Sequence, residues 1–210
     1  MKAFLSLLLW FALCSAQAQP ASAPTAGRDY QELRPSVAVP TGERIEVIEF
    51  FDYGCPICYE TQPQLSRWMT GAGRDVALKR IPAIFTESSE SFARTFYALG
   101  AMDQIPRLHW PLYENHHFDG KQLNEYKNVV KWVAANGVDR ARFEALWKSE
   151  AVSGQLATAK QALETYRVAG VPSFVVDGKY LTSAKMAGGT REMVRVLDYL
   201  VRRAGAERRK

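Results

Sequence analysis

The chain has 210 residues, a formal net charge of +5 and three cysteines. Its length suits one domain with additions to its core. The cysteines are too few for a small disulfide-stapled secreted domain, which uses many cysteines at wide spacing. The composition therefore excludes that class of fold.

The first 18 residues have the pattern of a secretory signal peptide. Lys2 precedes an apolar run over residues 3–14, and Ala16-Gln17-Ala18 forms a small-residue cleavage site. The run is shorter than the roughly 20 apolar residues that a membrane span needs. We therefore predict that residues 1–18 are removed on export and that the protein works in the periplasm.

Cleavage would also remove Cys14, one of the three cysteines. An alternative is a lipoprotein acylated at Cys14, although the preceding Leu13 is bulkier than such processing usually prefers. After cleavage, Cys55 and Cys58 are the only cysteines that remain. A single close pair in an exported protein indicates chemistry rather than a structural framework.

The next segments predict a leader followed by a strand, a helix and a second strand. Residues 19–43 are rich in Pro, Ala, Ser and Thr and predict a mobile leader. The sequence RIEVIEFFDY from Arg44 predicts a strand that is covered on both faces. Pro56, after the first cysteine of the motif, suits the first turn of a helix, and residues 75–85 predict the second strand.

The character of the sequence changes between residues 88 and 168, where successive helices are predicted. Their candidate start signals are Ser88 or Ser89, Asn124, Asp139 and Ser153. Residues 171–182 then predict a hairpin that turns at Asp177-Gly178, and residues 190–204 predict an amphipathic helix. The order predicts an α/β fold with a helical insertion of about 80 residues in its middle.

The last residues, 204–210, form a basic tail. Such a tail can contact nucleic acid or anionic lipid, but no aromatic side chains interleave with its charges. We therefore expect a frayed, solvated terminus and no nucleic-acid partner.

The pair Cys55-Pro56-Ile57-Cys58 lies between the predicted strand and the predicted helix. This places Cys55 at a helix N-terminus, where unpaired N–H groups and the helix dipole favour a thiolate. Thiols in such motifs have pKa values of about 3.5–7.5. Cys58 lies about one turn further on, so the two sulfurs can form and break a disulfide.

Two other interpretations of the pair are a metal site and an inert staple. Tetrahedral zinc needs four ligands, and the sequence holds no second cysteine pair. His109, His116 and His117 lack a matching spacing. We therefore expect neither a metal nor another cofactor beyond the redox-active disulfide.

Two motifs resemble the DsbA group of thioredoxin-fold thiol oxidoreductases. VIEFFDYGCPICYE is similar to that group's active-site segment, and GVPSFVVDGKY is similar to its Val–cis-Pro loop and hairpin. The resemblance implies a thioredoxin fold with a helical domain inserted between the β-α-β and β-β-α halves. The thioredoxin-like part would comprise residues 44–87 and 169–203, and the inserted domain residues 88–168.

The resemblance also implies roles for individual residues of the motif and the loop. Cys55 would be the exposed nucleophile, and Cys58 the buried resolving thiol. Pro172 would be the cis-proline beside the disulfide, and Val171 would offer backbone groups to an extended substrate peptide. Pro56 and Ile57 would contribute to the same substrate-binding surface.

Glu49, six residues before Cys55, matches a third position of the family. There a buried Glu with a basic partner handles protons for the buried cysteine. A carboxylate in an apolar strand is costly to bury unless it is paired or protonated. The next strand offers Lys79 and Arg80 as basic partners, which face opposite ways. Arg80 is preferred, but the sequence leaves both open. It also leaves open that Glu49 is exposed at a strand edge.

Ile57 is a departure, since the best-known family members carry His there. Isoleucine cannot stabilise a neighbouring thiolate by charge or hydrogen bond. We expect a higher Cys55 pKa and a weaker oxidant than in those members, by roughly 20–45 mV if about 1–2 kcal/mol of stabilisation is lost.

The predicted function is disulfide formation in reduced or unfolded exported proteins, with reoxidation by a DsbB-like membrane partner. One alternative is a disulfide reductase or isomerase. Such proteins carry an N-terminal dimerisation domain, for which the leader is too short. A monomer is therefore expected. The other alternative is a peptide-binding chaperone module in which the cysteines are only a structural lock.

Overall fold

The computed structural model describes residues 22–72 and 74–209. Five strands form one sheet in the order β1-β5-β4-β2-β3. Their bounds are β1 Gln31–Glu32, β2 Ile45–Phe51, β3 Val76–Pro82, β4 Ser173–Val176 and β5 Tyr180–Ser183. The predicted signal peptide, residues 1–18, lies outside the described residues.

The pairing of the strands combines two halves. β2 and β3 are parallel and are connected by a helix, whereas β4 is antiparallel to both β2 and β5. Every residue of β2 is buried, as the sequence predicted for a strand covered on both faces. After β1, the observed order is β-α-β, then five helices, then two strands followed by two helices.

Eight helices are present in the described part of the chain. Their bounds are α1 Pro56–Ala72, α2 Glu87–Gly100, α3 Ile105–His117, α4 Tyr126–Ala135, α5 Arg140–Trp147, α6 Glu150–Thr165, α7 Ala184–Ala187 and α8 Thr190–Arg208. None of them combines the length and apolar character that crossing a membrane would need.

The helix starts in the middle of the chain agree only partly with the sequence signals. Asp139 is the N-cap of α5, as predicted. The cap of α2 is Thr86, which exchanges hydrogen bonds with Ser89 in a capping box, and the cap of α6 is Ser149 rather than Ser153. Asn124 does not cap α4, whose N-cap position is Glu125. Several polar residues precede each helix, so composition alone does not identify the cap.

The sheet is covered on both faces. On one face, Leu65 of α1 and Leu197 of α8 belong to a core cluster with Val47 of β2. On the other, Leu163 of α6 belongs to a cluster with Ile48. A third cluster joins Phe51 and Cys58 to the helical block. The end of β2 therefore lies where the sheet meets the inserted helices.

The segment before β2 is packed, which corrects the expectation of a mobile leader for this part of residues 19–43. Tyr30 is 3% exposed, and Gln31 pairs with Leu181 of β5. Val37 N–H donates to the Gly178 carbonyl at 2.9 Å. Gly178 has φ +61°, and a Cβ there would lie 2.0 Å from the Val37 oxygen, so the close approach requires glycine.

The C-terminal residues also differ from the expected frayed tail. α8 continues to Arg208, because Ala204 extends its buried face. The Arg208 guanidinium forms an ion pair with the buried Asp177 carboxylate. Tertiary partners for the last turn therefore hold residues that look solvated in the sequence.

Candidate active site

A tight loop connects β2 to α1 and sets the position of the first cysteine. Gly54 N–H donates to Asp52 Oδ1 at 2.9 Å, and Cys55 N–H donates to the Asp52 carbonyl at 3.1 Å. His117 of α3 donates from Nε2 to the Tyr53 carbonyl at 2.7 Å. The Asp side chain makes a local turn that a short polar residue favours, and Cys55 follows immediately before α1.

The two cysteines are both thiols in this structure, in different environments. Cys58 is 0% exposed, whereas Cys55 is partly exposed. Cys58 N–H donates to the Cys55 sulfur at 3.3 Å. One turn of α1 therefore brings one thiol to the surface and buries the other.

The environments shift the two pKa values in opposite directions. A hydrogen bond from the Cys58 thiol, supported by backbone N–H groups of Cys58 and Ile57, lowers the pKa of Cys55 to about 7. Burial and the nearby Asp52 carboxylate oppose this shift. Burial, followed by the interaction with Cys55, raises the pKa of Cys58. The arrangement can hold a thiolate at Cys55 while Cys58 keeps its proton.

The loop before β4 faces the cysteine pair. The Val171–Pro172 peptide bond is cis, as the family resemblance implied. The Cys55 thiol lies 3.7 Å from the Val171 carbonyl oxygen, to which it donates. The Pro172 carbonyl accepts from Ala184 N–H at 3.4 Å, which connects the loop to the start of α7.

Glu49 lies beneath α1 and pairs with Arg80 rather than Lys79. Its carboxylate is 0% exposed and accepts from Arg80 Nε at 2.8 Å and from Gln62 Nε2 at 2.6 Å. Glu49 and Arg80 are register partners in β2 and β3, so their side chains share a face. Lys79 pairs with Ile48 and is exposed.

The pKa of Glu49 reflects two competing effects. Burial raises it, while Arg80 and Gln62 oppose the rise by stabilising the charged form. The Glu49 charge also contributes to the raised pKa of Cys58. The alternative of an exposed Glu49 is therefore wrong, and the carboxyl lies in the interior, where its charge acts on the second cysteine.

Pro56 and Ile57 are exposed on the outer side of the first turn of α1. The Ile57 side chain is 42% exposed, which is unusual for a large aliphatic residue in this structure. Neither residue places a charged group beside Cys55. These two residues directly follow Cys55 in the chain and form an apolar surface next to it.

Sequence reasoning missed a buried polar group next to the pair. Tyr53 and His109 are both buried, and the Tyr53 hydroxyl lies 2.7 Å from His109 Nδ1. Burial raises the pKa of Tyr53 and lowers that of His109 to about 3. Tyr53 therefore donates and His109 is neutral. The sequence analysis also missed Gln62 as a partner of Glu49. The available signal was a polar residue on the inner face of α1.

The metal interpretation gains no support from the structure. Within residues 22–72 and 74–209, no group of three or more His, Cys, Asp or Glu side chains is arranged to hold a metal ion. His109 contacts Tyr53, and His117 contacts the Tyr53 carbonyl. The cysteine pair thus lies among hydrogen-bond partners rather than further ligands.

Three features define the class of thioredoxin-fold dithiol oxidoreductases. A strand ends where a helix begins with Cys-x-x-Cys, a cis-proline loop faces the cysteines, and helices separate that strand from the β4–β5 hairpin. The family profile described as DSBA-like thioredoxin domain matches residues 70–201. A relative from Pseudomonas aeruginosa (strain UCBPP-PA14), named thiol:disulfide interchange protein DsbA, is 34% identical over 206 residues, covering 98% of each chain. One of that name from Azotobacter vinelandii is 35% identical over 175 residues, covering 83% of this chain and 82% of the relative.

Solved structures agree with the sequence relatives. The crystal structure of Pseudomonas aeruginosa DsbA matches with a TM-score of 0.82 and 35% identity, covering 89% of this chain and 97% of that chain. The oxidoreductase DsbA from Xylella fastidiosa matches with a TM-score of 0.81 and 28% identity, covering 88% and 100%. The chain belongs to the DsbA family of thiol:disulfide oxidoreductases, and its fold is the thioredoxin fold with a helical insertion.

Proposed function

We propose that the chain introduces disulfide bonds into reduced exported proteins through the pair Cys55–Cys58. The observation that carries this proposal is the asymmetry of the two thiols. Cys55 is accessible with its pKa lowered to about 7, whereas Cys58 is buried with its pKa raised. Stabilising the Cys55 thiolate favours the reduced protein, which makes the disulfide a better oxidant.

The reaction starts from the oxidised pair. A substrate thiolate attacks the Cys55 sulfur, the Cys55–Cys58 bond breaks, and a mixed disulfide forms between substrate and Cys55. A second substrate thiolate then attacks the substrate sulfur of the mixed disulfide and releases Cys55 as a thiolate. Two substrate thiols are oxidised to one disulfide, and the protein gains two electrons. Cys58 takes up one proton, Cys55 stays a thiolate, and the remaining substrate protons go to solvent.

Glu49 is proposed to supply the proton that Cys58 needs on leaving. Its buried carboxyl has a raised pKa and influences Cys58 electrostatically. Arg80 and Gln62 hold the carboxyl in place at 2.8 and 2.6 Å. Lys79 lies on the other face of the sheet and has no part in this proton transfer. A proton source within the interior avoids leaving a buried thiolate, which would be costly.

The cis-Pro loop is proposed to bind the substrate backbone. Val171 lies beside the Cys55 sulfur, and an extended peptide can add to an exposed backbone edge. Pro56 and Ile57 then contact the substrate from the α1 side. Because Ile57 brings no charge, we expect a less oxidising pair than one with His at this position.

The wider setting follows from the same proposal. Export by a signal peptide at residues 1–18 would place the protein in the periplasm, where a DsbB-like membrane partner would reoxidise it. The unit at residues 44–87 and 169–203 would carry the redox pair, with residues 88–168 as the inserted domain. No cofactor beyond the disulfide takes part.

Oxidative refolding of a reduced, disulfide-dependent protein tests the function. The oxidised protein should restore activity to the reduced substrate in stoichiometric amounts, and Cys55→Ala should abolish this. A chaperone module would instead retain its effect in Cys55→Ala. A reductase or isomerase would leave the fully reduced substrate inactive but rescue one with mispaired disulfides.

A further inference from the structure

A cleft of about 550 Å³ opens beside the proposed substrate loop. Val171 and Pro172 line one side of it, and the Val171 carbonyl contacts the Cys55 thiol at 3.7 Å. The loop that borders the Cys55 thiol therefore also borders the cleft. The lining chemistry of the cleft bears on a substrate held along this loop.

Three cations line the cleft, and they come from separate parts of the chain. Arg28 lies in the segment before β1, Arg167 follows α6, and Lys185 is in α7. All three are exposed. None of the lining residues, all in the described part of the chain, is Asp or Glu.

The partners of these cations decide how much charge is available. Arg28 is paired with Asp29 at 2.8 Å, so its charge is partly neutralised. Arg167 donates only to the uncharged backbone carbonyl of Arg34, at 3.1 Å, and Lys185 has no carboxylate partner among the described residues. The cleft therefore presents at least two uncompensated positive charges.

We propose that this cleft selects reduced substrates that carry acidic residues next to the reacting cysteine. This inference rests on the proposed function. It adds a charge preference to a loop that is otherwise proposed to bind only the substrate backbone. A surface of one charge sign steers oppositely charged partners and raises their association rate by about 10–10³-fold at low salt. Arg167 and Lys185 are the specificity-determining residues.

The test compares synthetic peptides that each contain two cysteines flanked by Asp, Ser or Lys residues. The oxidised protein is mixed with each reduced peptide, and the second-order rate of disulfide transfer is measured by acid quenching, alkylation and mass spectrometry. At an ionic strength of about 0.01 M, we expect the Asp peptide to react at least about tenfold faster than the Lys peptide. At about 1 M the difference should vanish, because charges are then screened within roughly 3 Å.

Variants identify the residues responsible. Lys185→Glu should reduce the ratio of Asp-peptide to Lys-peptide rates, and the double variant Arg167→Glu/Lys185→Glu should abolish or invert it. Lys131→Glu makes the same charge change at an exposed position of α4, away from the cleft, and should keep the wild-type ratio. If the double variant fails to fold by circular dichroism, the single Lys185 variant decides.

The outcomes separate the two proposals. A wild-type protein that oxidises the Ser peptide but shows equal rates for the Asp and Lys peptides overturns the charge preference alone. So does a ratio that Lys185→Glu leaves unchanged, or one that Lys131→Glu alters as strongly. Failure to oxidise even the Ser peptide would instead overturn the proposed function.

Discussion

The two sides of the cysteine pair differ in what surrounds them. On the outer side, Cys55 is accessible and faces the Val171 carbonyl and the exposed Ile57. On the inner side, Cys58 is fully buried, and the Glu49 charge contributes to its raised pKa. In the proposed reaction, one side exchanges bonds with a substrate and the other exchanges a proton with the interior, although they are one helical turn apart. The contrast shows how a two-residue spacer separates reactivity from protection.

The largest expected contrast is in alkylation of the reduced protein. Cys55 should react with iodoacetamide at a rate that rises with pH through a midpoint near 7, following its lowered pKa. Cys58 should react on the order of 10³-fold more slowly, since it reacts only when the site opens. Mass spectrometry after timed alkylation measures both rates. Equal rates, or a Cys55 midpoint near 9, would break the comparison.

Removing the cation of the inner side should cost stability. Arg80→Met leaves the fully buried Glu49 carboxyl with Gln62 alone, and breaking a buried pair costs about 3–5 kcal/mol. Arg80 is 29% exposed, so we expect about 3 kcal/mol in urea unfolding of the reduced protein.

The matched control and the pH dependence sharpen this prediction. Lys79→Met, on the opposite face, should change the free energy of unfolding by less than about 0.5 kcal/mol. The loss of unfolding free energy in Arg80→Met should shrink at acid pH. In that variant the Glu49 pKa lies above its value in the unfolded chain, so stability falls as pH rises through the folded pKa. Equal losses in the two variants would contradict the pairing.

Glu49→Gln should slow the disulfide transfer while leaving Cys55 reactive. General acid–base assistance changes a rate by about 10²–10⁴-fold where proton transfer limits it. Cys58 can still take a proton from solvent after local opening. We therefore expect only about a tenfold decrease in the rate of disulfide transfer. Stopped-flow rates across pH measure this, and the profile should change shape as well as height. Glu60→Gln, on the exposed side of α1, is the control. An unchanged pH profile in Glu49→Gln would remove the proton role.

The smallest effect concerns the outer side. Ile57→His should make the disulfide more oxidising by roughly 20–45 mV, because a cation beside Cys55 stabilises its thiolate. Equilibration with glutathione measures the potential. Ile57→Gln adds polarity without charge and should shift it less. If the wild-type potential already equals that of Ile57→His, the inference about Ile57 is wrong.

Local patterns predicted much of the fold. The apolar strand before the motif, the Asp177-Gly178 turn and the amphipathic last helix all appear where expected. The packed segment before β2 was not predicted, because Tyr30 and Gln31 find their partners only in distant β5 and α8. Helix caps failed where several polar residues competed for one position.

The candidate site divides in the same way. Cys55, Cys58 and Pro172 carry local signatures, and the spacing of the cysteines limits their chemistry. Tyr53 and His109 are 56 positions apart and meet only through the packing of α3 against the loop. No local pattern encodes that contact.

By itself, the sequence determined the candidate redox pair, the strand-to-helix context that favours a Cys55 thiolate and the family to which the motifs point. Those properties depend on neighbouring residues and on the direction of one helix. Only the tertiary structure decided that Arg80 rather than Lys79 pairs with Glu49, and that Arg167 and Lys185 line one cleft beside the loop. The register between β2 and β3 fixes the first, and the convergence of chain segments far apart in sequence fixes the second.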